Sequence, residues 1–394
     1  MISSRLLNSS AKLIREFLSS EQMGGVALAV CTLFALLVSN SIFGEQYHAS
    51  LHLSFCGLTV EQWINDGLMT VFFLLVGLEL EREVYLGELR IFRKALLPVV
   101  AAIGGMIVPS GIYLAFNVGT EFQRGAGIPT ATDIAFALAL LSVVAKRVPL
   151  ELKVFLAAVA IADDLGAVVL IALFYSQSIS IFYLLCAALL FGFLCIANRM
   201  QVNSIWFYLA VGVVLWFLML RSGIHATITG VLLSFAIPFR DGGEESPSYR
   251  LQHWLHYPVA LGVLPVFALA NTGISIPDGW FVGLFECYSL GIMFGLCVGK
   301  PLGILSATCL LVGVRLSELP SGLTLRHVFG ASIAAGIGFT MSIFVTNLAF
   351  VDHALIDACK IAILASSVLS ATVGFFWFIL FVPKVTRGLE TVNG

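Results

Sequence analysis

The chain of 394 residues is 59% hydrophobic and only 11% charged, with a net charge of −2, whereas a soluble domain carries roughly 25% charged residues. So few charges exclude a soluble surface, and a near-neutral balance without a basic run excludes a nucleic-acid partner. The eight cysteines are scattered without CxxC spacing, which suggests neither a zinc site nor a disulfide framework.

At the N-terminus Arg5, Lys12 and Arg15 precede an apolar stretch from Gly24 to Val38. The stretch is too long, and too poorly followed by a cleavage site, for a secretory signal, so it reads as a retained first span. Apolar segments long enough to cross a hydrocarbon core recur about twelve times. They lie near 24–41, 62–80, 95–117, 125–144, 152–175, 179–198, 204–219, 224–238, 254–274, 286–313, 327–350 and 358–382, the seventh and eighth being short. The expected fold class is an all-α polytopic membrane protein, with residues 1–394 as one membrane domain.

Between the first two spans, Tyr47 to Phe55 alternates loosely, the pattern of a strand or hairpin or else of an irregular loop. A hairpin over 45–58 on the outer face would be able to pair with a second copy. With the N-terminus cytoplasmic, the Lys and Arg side chains collect on that side except Arg124, Arg221, Lys360 and the intraspan Lys300. This asymmetry predicts both termini inside, including a cytoplasmic tail at 384–394.

The fourth and eleventh spans echo each other as Gly127-Ile-Pro-Thr-Ala-Thr-Asp-Ile134 and Gly336-Ile-Gly-Phe-Thr-Met-Ser-Ile343. Pro129 lacks an amide hydrogen and paired glycines weaken a helix, so each segment is expected to unwind locally. Interrupted segments at corresponding places in two halves point to a transporter's binding site, and polar Thr132 and Asp133 lie at the first break.

In the fifth span Asp163 and Asp164 stand side by side near the middle. Each costs roughly 2.5 to 3.5 kcal/mol at a helix centre, so the pair calls for a functional explanation. Small residues Ala157, Ala160, Gly166 and Ala167 let neighbouring helices or water approach it. Adjacent carboxylates shielded from water resist ionising together, and their proton losses belong to the pair. Oxygen ligands also suit a hard cation such as Na⁺, so protons and cation compete for one site.

Lys300, in Gly295-Leu-Cys-Val-Gly-Lys-Pro-Leu-Gly303, is the lysine placed deep in a span. It must pair, shed its proton, face a cavity or snorkel to an interface, and Asp133, Asp163 and Asp164 are the economical partners. If the interrupted spans cross, helix ends of like partial charge face one another; Asp133 would offset two N-terminal ends and Lys300 two C-terminal ends. Glu79, Glu81, Arg82 and Glu83 close the second span, and His253 and His256 open the ninth. Such clusters read either as solvated helix ends or as a pH sensor, and His225 as interface or function.

Together Thr130-Ala-Thr-Asp133, Ala162-Asp-Asp-Leu-Gly166, Gly299-Lys-Pro301 and Gly336-Ile-Gly-Phe-Thr340 resemble the NhaA-type bacterial sodium/proton antiporters, over nearly the whole chain. The resemblance implies twelve helices with inverted-topology repeats and two interrupted crossing helices in the bacterial inner membrane. It implies exchange of intracellular Na⁺ or Li⁺ for external H⁺, activated at alkaline pH, with no cofactor and no enzymatic activity. It assigns ion and proton carriage to Asp163 and Asp164 with Thr132 nearby, and compensation of the broken helices to Asp133 and Lys300. Glu79, Arg82, Glu83, His253 and His256 match positions linked to the pH response, and the outer hairpin matches a homodimer contact. Gln252 stands where the family pattern has a glutamate and Tyr249 where it has a lysine; both departures touch the pH-sensing face.

One Na⁺ on two carboxylates leaves −1 and two protons leave zero, so a full cycle of both aspartates is electrogenic. A proton carried by Lys300 instead would move the same net charge. Two rivals are weighed: an intramembrane aspartyl protease, whose carboxylates face each other from different helices, and a cation channel. Neighbours about 100° apart on one helix suit the protease poorly.

Overall fold

The computed structural model describes residues 23–87, 90–175, 179–276, 279–320 and 322–383. The basic residues Arg5, Lys12 and Arg15 and the tail 384–394 lie outside the described residues. Among the described residues eight helices are long and apolar enough to cross a membrane, or up to eleven if each bent pair counts as one span. The fold is all-α and polytopic.

Helix α1 (Met23–Ser39) turns by 116° into α2 (Gly44–Leu51). The strand pattern read from Tyr47 onward is thus helical as far as Leu51. Tertiary contacts override the alternation: the Tyr47 hydroxyl donates to the Leu269 carbonyl, and His48 Nε2 lies 2.9 Å from Ser39 Oγ. A hairpin does follow, shorter and later than 45–58, with β1 (Ser54–Phe55) antiparallel to β2 (Leu58–Thr59). Cys56 (φ 52°) and Gly57 (φ 82°) form its two-residue turn, both in the left-handed region that matches the twist of a tight hairpin.

The longer helices that remain are α3 (Val60–Tyr85), α4 (Phe92–Asn117), α5 (Ile134–Val143), α6 (Leu150–Phe174), α7 (Ile181–Arg199) and α8 (Ile205–Ser222). They are followed by α9 (Ile228–Ala236), α10 (Pro247–Thr272), α11 (Cys287–Gly313), α12 (Leu325–Ala335), α13 (Phe339–Ala349) and α14 (His353–Phe381). The span expected at 224–238 is helical only in α9, whose nine residues reach about 14 Å, short of a hydrocarbon core of about 30 Å.

Two groups of helices meet along a seam. In one, α3 packs on α9 and α10, α9 on α8, and α8 on α7. In the other, α4, α6, α11 and α14 surround the two bent pairs. Helices α4 and α11 approach closely because the contact is built of glycines: a Cβ on Gly299 would lie 2.9 Å from Pro109 Cα, and one on Gly303 2.7 Å from the Gly104 carbonyl carbon. This contact carries Lys300 deep into the second group. The groups touch where α3 meets α6 and α10 meets α13.

Candidate ion-binding site

The first bent pair is a 3-10 segment, Glu121–Thr130, followed by α5 at 43°; the second is α12 followed by α13 at 46°. The breaks fall at 131–133 and 336–338, inside the two echoing segments, and the 3-10 segment contains Pro129. They are stitched together: Asp133 N donates to the Ile337 carbonyl at 2.7 Å, and Ser342 Oγ donates to the Ile128 carbonyl at 2.7 Å. Each break therefore satisfies backbone groups that the other exposes.

Asp133 caps both following half-helices. Its Oδ1 accepts from Phe136 N at 3.0 Å, at the start of α5. Its Oδ2 accepts from Thr340 N at 3.1 Å and Thr340 Oγ1 at 2.5 Å, at the start of α13. One carboxylate thus sits at two positive helix ends, the placement that the dipole argument requires.

On α6, Asp163 and Asp164 are both fully buried. Asp163 Oδ2 accepts from Lys300 Nζ at 2.6 Å and from Thr132 Oγ1 at 2.9 Å. The Lys300 ammonium also donates to the Thr130 carbonyl, at the C-terminal end of the 3-10 segment. The Thr132 hydroxyl is within reach of the Ala335 carbonyl at 3.1 Å, the last residue of α12. Its single proton is therefore shared between a carboxylate and a helix end. Three carboxylate oxygens, Asp163 Oδ1 and both of Asp164, are buried without a hydrogen-bond partner among the described residues.

The position of Lys300 follows from a local defect. Gly295–Gly299 forms a π turn within α11, and Pro301 follows immediately after Lys300. Proline cannot donate to the carbonyl four residues back, and the wider turn accommodates the missing bond while re-aiming the side chain. The same device recurs in α10, where the π turn Val259–Val263 precedes Pro265.

A cavity of ≈ 30 Å³ lies along the seam, lined by Asp164, Thr132, Asp133 and Thr340 from one group and by Glu79, His256, Val259 and Leu264 from the other. At its Glu79 end, Glu79 Oε1 lies 3.7 Å from His256 Nδ1. Nearby the Arg82 guanidinium sits 4.9 Å above the Tyr249 ring, which stacks on His253 at 6.2 Å. Glu83 occupies the same end of α3. His225 is elsewhere: its Nε2 lies 3.1 Å from the Tyr175 carbonyl, beyond the end of α6. At the end of the seam away from Glu79, Phe73, Phe267 and Phe344 from α3, α10 and α13 close the helices together, with centroid distances of 5.6 Å and 6.3 Å to the central Phe344. All three rings are fully or almost fully buried.

In the sequence Thr130 and Thr340 both stand within motifs without an assigned partner, and nothing there marks the Ser248 hydroxyl that donates to Glu81 Oε2 at 3.1 Å. The proline two residues after a Gly-rich turn was the available signal for the placement of Lys300.

The profile of the family described as Na⁺/H⁺ antiporter 1 matches residues 15–378. The Na(+)/H(+) antiporter NhaA of Cytophaga hutchinsonii is 53% identical over 366 residues, which is 93% of this chain and 95% of that protein. The protein of the same name from Dechloromonas aromatica is 52% identical over 375 residues, 94% of this chain and 96% of the relative. That of Vibrio cholerae is 45% identical over 375 residues, 94% and 98% of the two chains.

Proposed function

Because the chain belongs to the Na⁺/H⁺ antiporter 1 family, and is a multi-pass bacterial inner-membrane transporter rather than an enzyme, we propose that it exports Na⁺ or Li⁺ against H⁺ by alternating access at Asp163 and Asp164. The observation that carries this reading is the set of three buried carboxylate oxygens without partners at the crossing of the broken helices. Desolvated carboxylate oxygens without donors bind either a proton or a hard cation, and not both at once.

On the side of Glu79, proton release frees the pair for Na⁺, with the Thr132 hydroxyl oxygen as a neighbouring ligand. Reorientation exposes the ion to the other side, where protons displace it and return the carrier. Asp133 holds the paired N-terminal ends and Lys300 the C-terminal end of the 3-10 segment, so that the unwound backbone stays ordered when the charge at its centre changes. One Na⁺ against two protons makes the exchange electrogenic whether the second proton rides on an aspartate or on Lys300. Both termini face the cytoplasm, so the Glu79 end is the cytoplasmic mouth and the exchange serves sodium and pH homeostasis.

Alkaline activation is assigned to Glu79, Arg82, Glu83, His253 and His256 at that mouth, with His225 acting on the outer side. The lipid-facing surface takes membrane lipid, and the hairpin Ser54–Thr59, with Phe55 68% exposed, is the contact of a homodimer. A channel with the same site would pass Na⁺ without obligatory proton counterflow.

Reconstituted vesicles carrying an imposed proton gradient should show a Na⁺-dependent change of internal pH, and Asp164→Asn should abolish it. Full exchange by folded Asp164→Asn protein would reject the site; Na⁺ flux with no pH change would favour the channel.

A further inference from the structure

The seam beyond the aspartate pair is closed by two successive layers, each with one side chain from α3, α10 and α13. The first is the aromatic layer of Phe73, Phe267 and Phe344. Farther from the pair, Asn271 Nδ2 donates to Asn65 Oδ1 at 2.8 Å, and Asn347 Nδ2 donates to Asn271 Oδ1 at 2.6 Å. The second Asn271 N–H goes to the Phe267 carbonyl at 2.9 Å. The order along each helix is the same: Phe344 is followed by Asn347 and Phe267 by Asn271, about one turn on in each case, while Asn65 precedes Phe73 on the reversed α3.

Asn271 is 1% exposed, with both N–H groups and its carbonyl engaged. It belongs with Asn65 to the α3 group, whereas Asn347 belongs to the group holding the broken helices. The Asn271–Asn347 bond therefore crosses the seam, on the far side of the pair from the Glu79 cavity. Any movement that opens the pair to that far side must part the two groups there and break this bond, and no step on the Glu79 side requires it.

We propose that Asn65, Asn271 and Asn347 form the outer latch of the exchange cycle, with Asn271 as its centre, holding the external route shut while Asp163 and Asp164 face the cytoplasmic cavity. These are positioning residues that touch neither ion. The proposal rests on the alternating-access reading above. Losing an interhelical hydrogen bond of this kind changes a two-state equilibrium by about three- to tenfold, and the competent fraction scales the apparent affinity directly.

The test uses full-length protein in oriented vesicles, with wild type and Asp164→Asn as controls for the exchange itself. Asn347→Ala should lower the KM for Na⁺ presented at the outer face about three- to tenfold, while the KM at the cytoplasmic face changes much less. Equal changes on both faces, or none, would overturn the latch while leaving the exchange assignment intact. A Cys pair at 271 and 347, in a background without the native cysteines, gives an independent readout. Cross-linking it should stop exchange reversibly on reduction, with Na⁺-dependent thermal protection retained from the cytoplasmic side. Exchange at the uncross-linked rate would overturn the proposal.

Discussion

Asp133 makes three hydrogen bonds with one carboxylate, and two helix starts depend on them. Removing it leaves buried N–H groups without acceptors, which costs about 1 to 3 kcal/mol. Asp133→Ala should therefore lower the melting temperature in detergent clearly. Asp133→Asn, which keeps a carbonyl acceptor for one helix start and turns an amide N–H toward the other, should cost less than Asp133→Ala. An Ala variant as stable as wild type would contradict the double cap. At the mouth, His256 is charged only when protonated, so it forms an ion pair with Glu79 across 3.7 Å in that form alone. If that pair holds the mouth closed, His256→Gln should shift the pH–activity profile of exchange toward acid, and Glu79→Gln should shift it the same way. A profile unchanged in both would detach the pair from pH control.

At the scale of elements, the π turn at Gly295–Gly299 is what aims Lys300 at Asp163. Pro301→Ala restores a donor and lets the turn relax to ordinary helix, which rotates Lys300 away from its partner. Exchange should fall roughly tenfold or more, since small misplacements at a reacting group are costly, while thermal stability holds or rises. Full activity in that variant would show that the turn does not position the lysine. The elements also show what a sequence can and cannot reveal. Asp163, Asp164 and Lys300 stood out because charges in apolar runs are expensive, and the breaks stood out because Gly and Pro interrupt helices at matching places. The helix at Gly44–Leu51 did not, because its conformation is set by contacts such as Tyr47 with Leu269, far away in the chain. Nor did Asn65, Asn271 and Asn347: neutral amides are unremarkable in a membrane helix, and which of them meet is decided by packing across 206 and 76 residues. Between the first two spans the sequence left a hairpin and an irregular loop equally open, and the limits of the hairpin depended on where α2 stopped.

For the molecule as a whole, the proposed site lies where two helix groups meet, and each side supplies about half of the cavity wall. Exchange by relative motion of these groups moves net charge when one Na⁺ trades for two protons. In vesicles, an inside-negative potential set with K⁺ and valinomycin should therefore alter the exchange rate, and collapsing it should remove the effect. Indifference to potential would exclude the two-for-one stoichiometry.

The cavity beside Asp164 measures ≈ 30 Å³, room for roughly two or three water molecules. A cation cannot arrive there with its hydration shell intact; it must be stripped of most of its water before carboxylate oxygens replace it. Selectivity then becomes a contest between dehydration and coordination, in which Mg²⁺, which gives up water reluctantly, loses whatever its charge would gain. In the proposed cycle the smallness of the chamber, as much as the carboxylates in it, would sort the ions.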